Sequence, residues 1–152
     1  MSTNENRSPL FITGSSHVGL TLLTSIKGFS SILRASVLGG TNDVHRQALQ
    51  VIFDCCDTPW KSWISLSELI EQNEGEKVIE ILSQVDDTGQ SYLERNFIRK
   101  SLASMEIAQN QSNTILEQAQ QLNDEQKLYV EIINKNCRQE IDVWKEIAEY
   151  FS

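Results

Sequence analysis

Seven apolar positions, spaced by threes and fours, occur twice in this chain at a constant offset of 81 residues. The first set is Leu49, Ile52, Cys56, Trp60, Trp63, Leu66 and Ile70. The second is Val130, Ile133, Cys137, Ile141, Trp144, Ile147 and Phe151. Such spacing places each set on one stripe of a helix, a heptad-like seam that needs a partner to cover it. A cysteine lands on a cysteine and a tryptophan on a tryptophan. Ahead of the two seams, Asn42-Asp43 likewise lands on Asn123-Asp124. A shared apolar period arises easily by chance, but not with a matching turn and a Cys/Trp pair as well. The chain therefore reads as an internal repeat of one helical hairpin.

The remaining segments fit that reading. Residues 1–8 form a polar lead, expected to be disordered. Ser8-Pro9 suits a helix start, because proline is tolerated at the first helical position. From there to about Ser36, Val18, Leu22, Ile26, Phe29 and Leu33 define one amphipathic stripe. Gly14 weakens its first turns, and Gly39-Gly40-Thr41 turns the chain. Asn42 is the expected cap of the second helix, which Asn73-Glu74-Gly75 closes. Pro59 interrupts it, since the ring clashes with the carbonyl of Cys55. A kink is expected there, or a break with Asp57 or Thr58 capping a new segment. A short connecting helix over 76–85 stops at Asp86-Asp87-Thr88-Gly89. A third helix spans about Gln90 to Gln120, and Asn123 with Gln126 predicts a capping box at the start of the fourth.

The expected fold is all-α, a four-helix bundle in one domain over 9–152. Hairpin one takes 9–74, a connecting segment 76–88, and hairpin two 89–152. A chain of 152 residues buries roughly two thirds of its unfolded surface, enough for one core. Two hairpins in one chain can close the bundle within a single molecule, with adjacent helices antiparallel. The repeat thus predicts a monomer.

Charge and cysteine usage exclude several functions. Thirteen basic against twenty-one acidic residues give a net charge of −8, which argues against nucleic acid and against a basic membrane-binding face. The three cysteines, Cys55, Cys56 and Cys137, lack metal-type spacing and read as buried free thiols of a reducing compartment. No apolar run approaches the ~20 residues that span a bilayer, and no signal core succeeds the first residues. A cytoplasmic protein is expected. With only two histidines and no Glu-x-x-His arrangement, no metal site and no cofactor are expected. Phosphate-binding glycine loops and nucleophile elbows are missing too.

The stretch from His17 to Leu33, HVGLTLLTSIKGFSSIL, resembles the first helix of a histidine-kinase dimerisation and phosphoacceptor domain. In that family a phospho-accepting histidine opens a helix as H-E-L-R-T-P-L, then come a small or polar pair, an aliphatic and often G-F. His17 takes the histidine's place, Thr21 and Leu23 match, and Thr24-Ser25-Ile26-Lys27-Gly28-Phe29 continues without a gap. Val18 replaces the acidic neighbour, Gly19 the leucine, Leu20 the arginine and Leu22 the proline. LNDEQKLYVEIINKNC at 122–137 is similar to the loop and second-helix start of many such domains. In the second half the position equivalent to His17 falls near Lys100, so a pseudo-dimer holds at most one phosphoacceptor. The first hairpin is succeeded by another hairpin, not by a glycine-rich ATP-binding domain, so an autokinase is not expected.

The resemblance implies His17 as candidate phosphoacceptor and Thr21 as a candidate supporting residue for phosphatase-type chemistry. At 100° per residue His17 lies off the apolar stripe, with Thr21, Thr24 and Gly28 on its flank. Neutral imidazole is a competent nucleophile, and its phosphoramidate can pass a phosphoryl group to an aspartate. Val18, however, can neither orient the ring nor take its proton. Leu20 is expected on the solvent face beside His17, as a lone exposed leucine or as part of an apolar protein contact. Leu20, Thr24, Lys27 and Gly28 are the candidate partner-binding residues. Trp60, Trp63 and Trp144 are expected in the core, His45 solvated, and the acidic residues on helix exteriors.

Three functions fit this sequence. The first is an interaction module of two-component signalling that binds a response-regulator receiver domain or a sensor histidine kinase. The second is a histidine phosphotransfer protein relaying through His17. The third is a helical adaptor with an unrelated partner.

Overall fold

Pro9 opens the first helix, where its missing amide costs nothing. The computed structural model describes residues 9–36 and 43–151. Helix α1 runs Pro9–Ser36, α2 Asp43–Cys55 and α3 Asp57–Gln72. Between α2 and α3 only Cys56 intervenes, and its backbone stays right-handed helical at φ −71° and ψ −20°. The chain therefore bends without reversing. Pro59 is the third residue of α3, where an amide would lack an intrahelical partner anyway. The break expected from Pro59 is present, but neither Asp57 nor Thr58 caps it: α3 starts with no side-chain cap.

Helix α4, Gly75–Ser83, ends before the expected 76–88 segment does. Asp86 then closes a turn, its Oδ1 accepting from Thr88 N at 2.9 Å, Thr88 Oγ1 at 2.6 Å and Gln90 N at 3.1 Å. Gly89 supplies the left-handed residue, at φ 85°, which side chains disfavour. The third long helix is not uniform. A π-helical turn at Glu94–Ile98 precedes α5, Arg99–Glu117, and a 3₁₀ turn at Ala119–Gln121 comes after it. Helix α6, Asp124–Tyr150, begins at the expected capping box: Gln126 N donates to Asn123 Oδ1 at 2.7 Å, and Asn123 N to Gln126 Oε1 at 3.0 Å. The 1–8 lead, the Gly39-Gly40-Thr41 turn and the Asn42 cap lie outside the described residues.

The protein is all-α. Among the described residues only an isolated bridge, Val85 with Ser91, has strand-type pairing. Helix α1 packs on α6 along one side and on α2 and α3 along the other, and α5 packs on the same neighbours. Neighbours are antiparallel, as cross-helix pairs show: Phe11 with Tyr150 and Phe29 with Tyr129 for α1 and α6, Ser16 with Ser67 for α1 and α3, and His45 with Gln118 for α2 and α5. The buried side chains form one cluster fed by every α-helix. None of the helices among the described residues is long and apolar enough to cross a membrane.

The two seams meet in that cluster. Trp63 and Trp144 stack with ring centroids 3.8 Å apart and planes 17° from parallel. Five positions of the first seam and all seven of the second are buried, while Trp60 and Ile70 are half-buried. On α1 the expected stripe holds in part: Ile26 and Leu33 are buried, Leu22 and Phe29 half-buried, and Val18 is exposed. The buried face is Ile12, Ser16, Gly19, Leu23, Ile26, Ser30 and Leu33, and Val18 is 48% exposed. At Gly19 the inner face has to be small because the Trp63 indole lies against it, and apolar periodicity passes over glycine and serine.

Candidate functional site

The face of α1 turned away from the core carries the residues singled out from sequence. His17, Thr21, Thr24 and Gly28 are all exposed there, on successive turns of one strip. Both threonine hydroxyls are tied to the helix itself. Thr21 Oγ1 donates to the His17 carbonyl at 2.9 Å, and Thr24 Oγ1 to the Leu20 carbonyl at 2.8 Å. Among the described residues nothing is hydrogen-bonded to the His17 ring. Val18, which has no polar group to offer the ring, lines a groove between α1 and α6. The imidazole is open to an in-line approach from solvent and is not oriented by a neighbour.

Two candidate partner residues leave this strip. Leu20 is not on the solvent face: it is half-buried and packs against the core. One residue's step from Gly19, which faces Trp63, carries it toward α3. Lys27 likewise turns to α2 and α3. Its Nζ sits 3.9 Å from an Asp57 carboxylate oxygen, 4.9 Å from the Phe53 ring centroid and 5.7 Å from that of Trp60. An ion pair this exposed adds little stability. The candidate face therefore narrows to His17, Thr21, Thr24 and Gly28.

Behind it lies a polar centre that apolar patterning missed. Glu140 on α6 is fully buried, contrary to the expectation that acidic residues lie on helix exteriors. Its Oε1 accepts from Trp63 Nε1 at 2.7 Å. Among the described residues Glu140 Oε2 and Trp144 Nε1 have no hydrogen-bond partner of ordinary geometry, although the Trp144 indole still lies close enough to favour the carboxylate. Burial dominates and pushes the carboxyl up to about 7, against the two indoles. Position 140 falls three residues after Cys137 and four before Trp144, so its place on the inner face was legible from the second seam. Its equivalent in the first half is the buried Pro59.

The thiols are equally enclosed. Burial raises Cys56 strongly, and it raises Cys137 to about 12 with a further push from Glu140. Cys55, half-buried, is raised by burial and by Asp54. High thiol pKa values make these poor nucleophiles. All three cysteines are free, and no grouping of three or more potential ligands capable of holding a metal ion occurs among the described residues. His45, expected to be solvated, is instead 1% exposed, with Nε2 3.0 Å from Gln118 Oε1. Packing of α2 on α5 covers it, a contact that no local pattern encodes.

Against models of known protein families, curated proteins and solved structures, the chain gives no match.

Proposed function

We propose that this chain is a protein-interaction module of the two-component type, a degenerate histidine-kinase dimerisation domain that binds a response-regulator receiver domain or a sensor kinase through the exposed strip of α1. The observation that carries the reading is the strip itself. His17, Thr21, Thr24 and Gly28 share one uncovered helix face, in the register of the family's first helix. Support also comes from the stacked Trp63–Trp144 pair, since equivalent residues of two hairpins meet on the axis of an intramolecular pseudo-dimer. A cytoplasmic monomer belongs to the same reading.

Phosphotransfer through His17 is the alternative, favoured by the ring's open approach. In that step the imidazole nitrogen attacks the regulator's aspartyl phosphate, the N–P bond forms, and the aspartate carboxylate leaves. The absence of any group orienting the ring among the described residues favours contact over transfer.

Incubation with phosphorylated response regulators from the same source separates the two, comparing the native chain with His17→Ala. Regulator binding by both proteins, with no acid-labile label on either, is the expected outcome. Label on the native chain alone makes it a relay protein. Neither label nor binding removes the reading.

A further inference from the structure

Beside the histidine strip, α1 and α6 form an apolar groove that no other described element covers. Two depressions of about 470 and 310 Å³ run into each other, sharing Val18, Val143 and Glu146. Leu10 and Val18 form the α1 wall and are 78% and 48% exposed. Leu22 and Val143 lie deeper. At Gly14 a side-chain carbon would meet nothing within 4 Å, so the groove is open there to its floor. Its charge is one-sided. From Pro9 to Ile26, α1 has no acidic, lysine or arginine residue, while α6 contributes Asp142 and Glu146 to the rim. Among the described residues no basic side chain lines either depression.

We propose that this groove docks a basic amphipathic helix of a partner protein. From Leu10 to Leu22 its length is about 18 Å at 1.5 Å per residue, some three helical turns. That suits apolar anchors at i, i+3/i+4 and i+7, with lysines or arginines along one flank meeting Asp142 and Glu146. An extended peptide gains nothing comparable, because both walls are helices whose backbone groups are already paired. A second copy would set acid against acid on a chain of net charge −8, and an anionic lipid surface meets the same repulsion. The proposal goes beyond the histidine strip and requires neither phosphorylation of His17 nor a receiver domain.

The test uses the full chain and a fluorescein-labelled peptide of about 18 residues, leucines at helical spacing and lysines between them, with anisotropy read at near-physiological salt. A scrambled peptide of identical composition and a glutamate-for-lysine version serve as controls. Saturable binding of the patterned peptide alone is expected. Gly14→Lys fills the open notch, adds positive charge and improves helix propensity, so the fold is retained. That variant and Glu146→Lys should each weaken binding at least about tenfold, while His17→Ala leaves it unchanged and so separates this groove from the regulator-binding strip. Equal binding of the scrambled peptide, or undiminished binding by both charge variants, would overturn the proposal. So would a dimer in light scattering that Gly14→Lys dissolves, or binding to anionic vesicles that the peptide does not displace.

Discussion

Gly19 and Trp63 are in contact so close that no other residue fits at 19: a β-carbon there would lie 2.3 Å from Trp63 Nε1 and 2.4 Å from Cε2. The glycine admits an indole that stacks on Trp144 and donates to Glu140.

Gly19→Ala should therefore destabilise the fold, although alanine is the better helix former. Overpacking of this kind costs about 1–3 kcal/mol, against a propensity gain of about 1 kcal/mol. Urea denaturation measures the net loss. In a Trp63→Leu background the clash is removed, and a double-mutant cycle should show the penalty of Gly19→Ala shrinking.

Glu140 makes stability depend on pH in an unusual direction. Its carboxyl is raised from 4.5 to about 7 in the folded chain, so the folded state holds the proton more tightly than the unfolded state. Stability is then highest below about 4.5 as far as this group is concerned, falls as pH rises to about 7, and stays reduced above it. The full effect is on the order of 3 kcal/mol. Denaturation midpoints across that window should show the fall, and Glu140→Gln, which cannot titrate, should flatten it.

Thiol reactivity should split one to two. Cys55 is partly accessible, whereas Cys56 and Cys137 are buried and their thiols are held protonated by the apolar surroundings. Titration with a disulfide reagent at mildly alkaline pH should modify Cys55 slowly in the native protein. All three react once denaturant is added. Rapid native labelling of Cys137 would contradict the packing of α6.

The reciprocal Asn123–Gln126 bonds at the start of α6 are local, so their removal should cost a predictable amount. Asn123→Ala is expected to lower stability by about 1 kcal/mol in thermal or urea denaturation. Asn123→Ser should recover most of it, since a serine hydroxyl caps the same amide.

Features encoded within a few residues were legible in the sequence. The Asn123–Gln126 box and the break ahead of Pro59 depend only on backbone donors and on a ring that blocks a carbonyl. The seams from Leu49 and Val130 depend only on the helical repeat. So does the exposure of His17, Thr21, Thr24 and Gly28, which are polar or small at steps of three and four. The π-helical turn at Glu94–Ile98 had no such signal, because a one-residue shift of the apolar register inside a single turn is too short for periodicity to resolve.

Sequence alone thus determined an all-α chain, the helix starts at Pro9 and Asp124, and two apolar seams able to face each other. Tertiary packing decided which side of α1 turns inward, and at Gly19 the reason is the Trp63 indole, which takes the space a β-carbon would need. The same packing drew Leu20 toward α3, covered His45 with α5, and closed Glu140 away from water. Periodicity records which residues prefer to leave water, and these positions were settled by the volume and hydrogen bonding of partners far away in the chain.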